Sequence, residues 1–275
     1  MRTTLRTILI LMFFFQSLPS RSAVLLLPET THQRFLTYGL FVDNQSSLLF
    51  RDSGKAFGSL AGSIALVSFE GLKGKPQIVL TGSVHSAFRL ADGAFNSETA
   101  DSRMSLLWDT ELSSDWLLSL GFSHASGHVS DDVLDLDLLP LDVGIETFPI
   151  RIVYQGSSFF RFGITFQPTY AASAPPSKMF QANEFFEWFP YGDSGDYHRF
   201  TPYLALGFEQ FGHNEIDLSA HAQLGAYLGN HRDAKYFTSL RAVLGAYTGP
   251  DPRLKYYYYK DKTARFIYFG LMFDL

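Results

Sequence analysis

From Ile216 to Gly229 the chain alternates without a break. Ile216, Leu218, Ala220, Ala222, Leu224, Ala226 and Leu228 share one parity; Asp217, Ser219, His221, Gln223, Gly225 and Tyr227 share the other. An extended strand turns successive side chains to opposite faces, so this segment has one oily face and one wet face. The pattern recurs. Ile78, Leu80, Val84, Phe88 and Leu90 oppose Gln77, Thr81, Ser83, His85 and Arg89, and Phe160, Phe162, Ile164 and Phe166 oppose Arg161, Gly163, Thr165 and Gln167. Period two on this scale predicts an all-β chain. Strands are expected at 34 to 42, 55 to 69, 76 to 90, 101 to 112, 115 to 128, 146 to 156, 158 to 170, 180 to 189, 200 to 211, 214 to 229, 235 to 248 and 263 to 275. The first is short, and Glu184 interrupts the apolar face of the eighth.

Two sheets packed face to face would alternate in the same way, and composition separates the options. Aromatic residues make up 16% of the chain, with 27 Phe and 14 Tyr, while charged residues make up 18%. An average soluble domain carries roughly 25% charged residues. Mean hydropathy is nevertheless close to zero. A closed antiparallel transmembrane β-barrel of about 12 strands accounts for both facts, because lipid-facing and lumen-facing residues alternate and average out. A soluble β-sandwich has no need of so many aromatics.

The first residues give an address. Arg2 and Arg6 precede the apolar run Ile8 to Phe15, followed by Pro19, Ser20, Ser22 and Ala23. That order is expected of a cleaved secretory signal over 1–22, leaving 23–275 as one barrel domain. There are no cysteines, so a lipid anchor on cysteine is excluded. The formal charge of −5 argues against a nucleic-acid partner.

With the C-terminus at the periplasmic rim, tight turns at Ser113 to Ser114 and Gly156 to Ser157 fall on the periplasmic side, and the long segments 129 to 145 and 249 to 262 fall outside. The last strand, Tyr268-Phe269-Gly270-Leu271-Met272-Phe273-Asp274-Leu275, resembles the C-terminal recognition signal of outer-membrane barrels, though it ends on Leu rather than Phe. That resemblance implies the outer membrane of a Gram-negative bacterium and the barrel assembly machinery as a partner. Tyr256 to Tyr259, between Lys255 and Lys260, reads as part of an interfacial aromatic girdle.

One rim gathers residues with chemistry. Trp116, Leu118, Leu120 and Phe122 share the apolar face of their strand, and parity puts His124 and Ser126 on that same face. Side chains two apart stand about 7 Å apart at the backbone, within reach of an imidazole that leans over to take a hydroxyl proton. On the next strand Glu146 has the parity of Phe148, Ile150, Ile152 and Tyr154, and a carboxylate there would orient the imidazole. His124, Ser126 and Glu146 are therefore the candidate catalytic residues, facing lipid at the external rim. A polar cluster that only solvates a strand as it leaves the membrane is the simpler alternative.

His124-x-Ser126 resembles the motif of two lipid-cleaving barrel families. Outer-membrane phospholipase A has His-x-Ser-Asn-Gly with Asn as third member, and here Gly127 and His128 follow the serine instead. The lipid A 3-O-deacylase has Glu as third member, matching Glu146, but is a smaller barrel. A broader similarity is to uncharacterised outer-membrane barrels carrying His-x-Ser-Ser-His-Leu-Gly-Asp-Glu, matched at His124, Ser126, His128 and Asp131 and departed from at Gly127, Ser130 and Asp132. The Tyr247-Thr248-Gly249 step and the Tyr-rich stretch after it also look like the end of that family.

Asp131 and Asp132 head the acidic segment that continues to Asp135, Asp137 and Asp142, and are the candidate ligands for Ca²⁺, a hard ion that takes oxygen donors. The spacing lacks the Gly and Glu of an EF-hand, so a solvated acidic loop is preferred and no cofactor is required. The other histidines show no metal-ligand spacing. Two functions remain in competition. One is an ester hydrolase acting on outer-membrane lipids. The other is a structural barrel or narrow pore whose lumen is partly filled by Arg89, Arg161, Arg241, Glu209, Asp217 and Tyr227.

Overall fold

The computed structural model describes residues 24–29, 46–52, 54–91, 94–129, 143–173, 180–192, 200–212, 216–228, 239–252 and 263–274. The strands are β1 (Val24–Leu26), β2 (Ser46–Arg51), β3 (Lys55–Phe69), β4 (Gln77–Ala91), β5 (Ala94–Glu111), β6 (Trp116–Val129), β7 (Val143–Thr147), β8 (Ile150–Tyr154), β9 (Phe160–Ala172), β10 (Phe180–Trp188), β11 (Thr201–Gly212), β12 (Ile216–Tyr227), β13 (Ser239–Pro250) and β14 (Thr263–Asp274). Every pairing is antiparallel between neighbours, and β14 pairs with β2 to close the ring. Since β7 and β8 form one stave between β6 and β9, and β1 only extends the edge of β3, the result is a closed barrel of 12 staves. Among the described residues there is no helix.

Within the described residues the expected strands recur with small shifts at their ends, except that β5 starts at Ala94 where 101 was expected and that two further departures are instructive. The stave expected at 146 to 156 starts at Val143 and is split at Phe148-Pro149, because proline brings no N–H to the ladder. The Pro149 carbonyl still accepts from the Gly121 N–H at 3.1 Å, which keeps the two halves in line. The first stave of the ring is the six-residue β2, where no strand was expected. Its Leu48 and Leu49 are both apolar, yet Leu48 faces out at 45% exposure and Leu49 faces in at 2%, so alternation does not mark it. The expected strand at 34 to 42, the signal segment 1–22, the acidic loop with Asp131 and Asp132, and the Tyr256 to Tyr259 run lie outside the described residues.

The faces follow parity. Leu60, Ile64, Val84, Leu106, Phe122, Phe162, Ile164, Leu218, Leu224, Leu244, Ile267 and Phe269 are exposed on the outer surface, which is the area a bilayer would cover. Near the rim that carries Val24 and Asp274, called here the terminal rim, Trp116 meets Tyr154 and Phe162 edge-on at 5.2 and 5.9 Å, and Phe160 stacks on Phe186 at 6.4 Å. Trp and Tyr gather at this depth because one part of the ring is apolar and the other polar.

The lumen is filled by side chains. Arg241, wholly buried, sits over the rings of Tyr203 and Tyr227 with its guanidinium carbon 6.0 and 5.9 Å from their centres. Gln223 donates to the Tyr203 hydroxyl at 2.6 Å and accepts from the Tyr268 hydroxyl at 3.1 Å. Gly225 and Gly245 make room for this layer, since a Cβ on either would run into the Tyr203 or Tyr268 ring. Beside this layer, on the strands next to β11, Arg161 Nε donates to Glu187 Oε2 at 2.6 Å. Arg89 instead lies at the opposite mouth, where it and Lys55 hold Glu98 at 3.2 and 3.1 Å.

Candidate functional site

The outward row of β6 runs Trp116, Leu118, Leu120, Phe122 and then changes character at His124 and Ser126. Register decides what these two meet. On the β7 side Glu146 is directly across from His124 and Gly144 from Ser126; on the β5 side Met104 is across from His124 and Ser102 from Ser126. Directly opposed side chains on one face stand about 5 Å apart at Cβ, close enough to bond.

They do bond. His124 Nδ1 and Glu146 Oε1 are 2.6 Å apart, with the side chains 45% and 34% exposed. The carboxylate accepts, so Nδ1 carries the hydrogen and Nε2 is left as the basic nitrogen. The ring leans towards the rim. Its Cε1 lies 3.9 Å from where a Cβ on Gly144 would stand, so the glycine leaves that space to the imidazole. Gly144 is itself tied down by its N–H, which donates to Ser173 Oγ at 2.7 Å.

Ser126 behaves differently from expectation. Its hydroxyl bonds to the hydroxyl of Ser102 at 2.8 Å, on the side of its strand away from Glu146, and not to His124. The structure thus brings His124 and Glu146 into contact and puts Ser126 on the same face one step along the strand. Beneath the pair, Phe122 packs edge-on against Phe148 and Tyr170 at 5.2 and 6.5 Å, an oily footing for a polar site.

Ser102, Gly144 and Ser173 were not singled out from the sequence. Ser102 had a signal, because it shares the outward parity of Met104 and Leu106. Ser173 had none, since it lies just beyond β9. Asp131 and Asp132 lie outside the described residues, and among the described residues no group of three or more His, Asp or Glu is arranged to hold a metal ion.

Among solved structures, the chain is similar to outer membrane phospholipase A from Escherichia coli, with a TM-score of 0.55 and 11% identity over 87% of this chain and 94% of that one. It is similar to the Salmonella typhi outer membrane phospholipase dimer with bound calcium, with a TM-score of 0.57 and 10% identity over 88% and 96%. It is also similar to KdgM porin, with a TM-score of 0.50 and 10% identity over 85% and 99%. A phospholipase and a porin on one barrel mean that the likeness shows the fold and leaves function to the site. No family model and no curated protein matches the sequence, so the similarity to uncharacterised barrels rests on its motif residues alone.

Proposed function

We propose that this chain is an outer-membrane barrel that hydrolyses acyl esters of the lipids beside its outer rim. One observation carries the reading: a half-exposed His124–Glu146 pair on the outer surface, with Ser126 next on the same face. Lumenal side chains never meet lipid, whereas these do. Rotation of Ser126 about its Cα–Cβ bond, away from Ser102, brings its hydroxyl towards His124 Nε2. There Ser126 Oγ attacks the acyl carbonyl, His124 takes the proton and returns it to the departing alcohol, and water then releases the fatty acid from the acyl-serine. Glu146 keeps the imidazole in the needed tautomer throughout.

A second reading, a hydrogen-bonded polar rim without chemistry, is favoured by the Ser126–Ser102 bond. Mass spectrometry of outer-membrane lipids decides between them, comparing cells with the protein, without it and with Ser126→Ala. Lyso-lipid or free fatty acid that appears only with the unaltered protein supports the hydrolase; identical profiles in all three leave the polar rim. A narrow pore is disfavoured by the buried Arg241, Tyr203, Tyr227 and Tyr268, and stable channels in planar-bilayer recordings would revive it. The same reading takes 1–22 as an export signal and the last strand as the contact with the assembly machinery.

A further inference from the structure

The cross-strand row that contains the His124–Glu146 pair continues the other way around the barrel as Met104, then Gly82, then Gly62. All face out. A Cβ on Gly62 would meet nothing within 4 Å, and one on Gly82 nothing nearer than the Arg103 carbonyl at 4.0 Å. The row therefore has no side chain over β4 and β3, while the rows on either side do. One neighbouring row is Phe122, Leu106, Leu80 and Ile64; the other is Ser126, Ser102, Val84 and Leu60. Together they make a trough on the outer surface with a glycine floor and two walls.

We infer that this trough is the acyl subsite of the hydrolase, holding one fatty chain of the scissile lipid from Met104 to Gly62. The inference rests on the function proposed above. Three features favour a fatty chain over another occupant. The wall on the rim side is hydroxyl at Ser126 and Ser102 and turns to hydrocarbon at Val84 and Leu60, which matches an ester at one end and a methyl at the other. Rows across a barrel slant, because strands tilt against its axis; Gly82 lies closer to Gln77 at the terminal-rim end of β4 than His124 lies to Trp116 at that end of β6, so the trough descends between the site and Gly82. From His124 at the ester end to Gly62 the row runs over three strand spacings, about 14 Å, the reach of a medium-length chain. A second barrel would also use paired glycines for close approach, but it has no need of two hydroxyls at one end.

The test uses the full-length Ser126→Ala protein in phosphatidylethanolamine vesicles that contain a phosphatidylethanolamine with a diazirine at the end of a dodecanoyl chain. After illumination, peptide mapping should find label concentrated on Leu60, Ile64 and Leu80 over belt residues such as Leu218 and Leu244. Gly62→Leu should move that label back towards Met104. Both glycines have open space above them, so this substitution and Gly82→Leu should fold, as read from heat-modifiable migration on gels. In the background that keeps Ser126, each should lower the ratio of palmitoyl to octanoyl ester hydrolysis about tenfold. Even labelling around the belt, or barrel-to-barrel cross-links through this face, overturns the subsite. Concentrated labelling with no hydrolysis by the unaltered protein keeps the trough as a lipid site and rejects the hydrolase; hydrolysis with even labelling does the reverse.

Discussion

Two acid–base pairs in this barrel have the same heavy-atom separation, 2.6 Å, and opposite surroundings. Arg161 and Glu187 face the lumen with their side chains 9% and 1% exposed; His124 and Glu146 face outwards at 45% and 34%. In the lumen both charges are enclosed and bonded to each other, and removing one takes a close partner from the other. At the rim both side chains are partly exposed rather than enclosed, so the pair adds less to stability than the one in the lumen. Distance alone does not separate a structural pair from a chemical one. On the proposed hydrolase reading, exposure and the serine beside the pair do.

The sharpest way to break the contrast is Ser126→Ala, expected to lower lipid hydrolysis by about 10³-fold or more with the barrel still folded. Wild-type rates in that variant would make the rim as inert as the lumen. Next, Glu187→Ala should cost about 3 kcal/mol of stability by removing the enclosed carboxylate that Arg161 Nε donates to, seen as a lower urea midpoint in detergent, while the hydrolysis rate of the folded fraction holds. An unchanged midpoint would mean that lumen water solvates Arg161. Glu146→Gln should do the converse, lowering kcat about 10²-fold with the urea midpoint almost unmoved. Loss of folding rather than of kcat would return Glu146 to a structural role. The smallest effect is expected at Ser102, where removing a bond of about 1 kcal/mol frees Ser126, so Ser102→Ala should raise the rate about fivefold. A fall instead would show that Ser102 assists the reaction.

Parity made most of this site legible. The faces of β4, β6, β9 and β12 are those read from alternation, and with them the outward aim of His124, Ser126 and Glu146. Neighbours were harder, because they depend on turns. A two-residue turn at Ser113 to Ser114 would set β5 and β6 one residue out of step, whereas Leu112 N–H bonds to the Trp116 carbonyl at 2.9 Å and the loop has Ser113, Ser114 and Asp115. That one residue puts Ser102 opposite Ser126. The bulge between Ala87 and Phe88 likewise could not be read from alternation, though it sets which residues of β5 face the lumen near Glu98. β2 was missed because Leu49 packs inside the barrel among Phe57, Tyr268 and Met272, an oily patch in a lumen whose strands otherwise read as polar.

By itself the sequence determined that the chain alternates, which side chains share a face, and that an aromatic-rich belt surrounds a more polar interior. Those are properties of a single extended strand, whose side chains point to opposite faces whatever lies beside it. Only the closed barrel decided that Glu146 meets His124, that Ser102 takes the Ser126 hydroxyl, that Tyr203 and Tyr268 cap the lumen over glycines, and that Gly82 and Gly62 prolong the row of His124. Each of these is a relation between strands, set by register, and register is a property of the turns, bulges and ring closure rather than of any one strand.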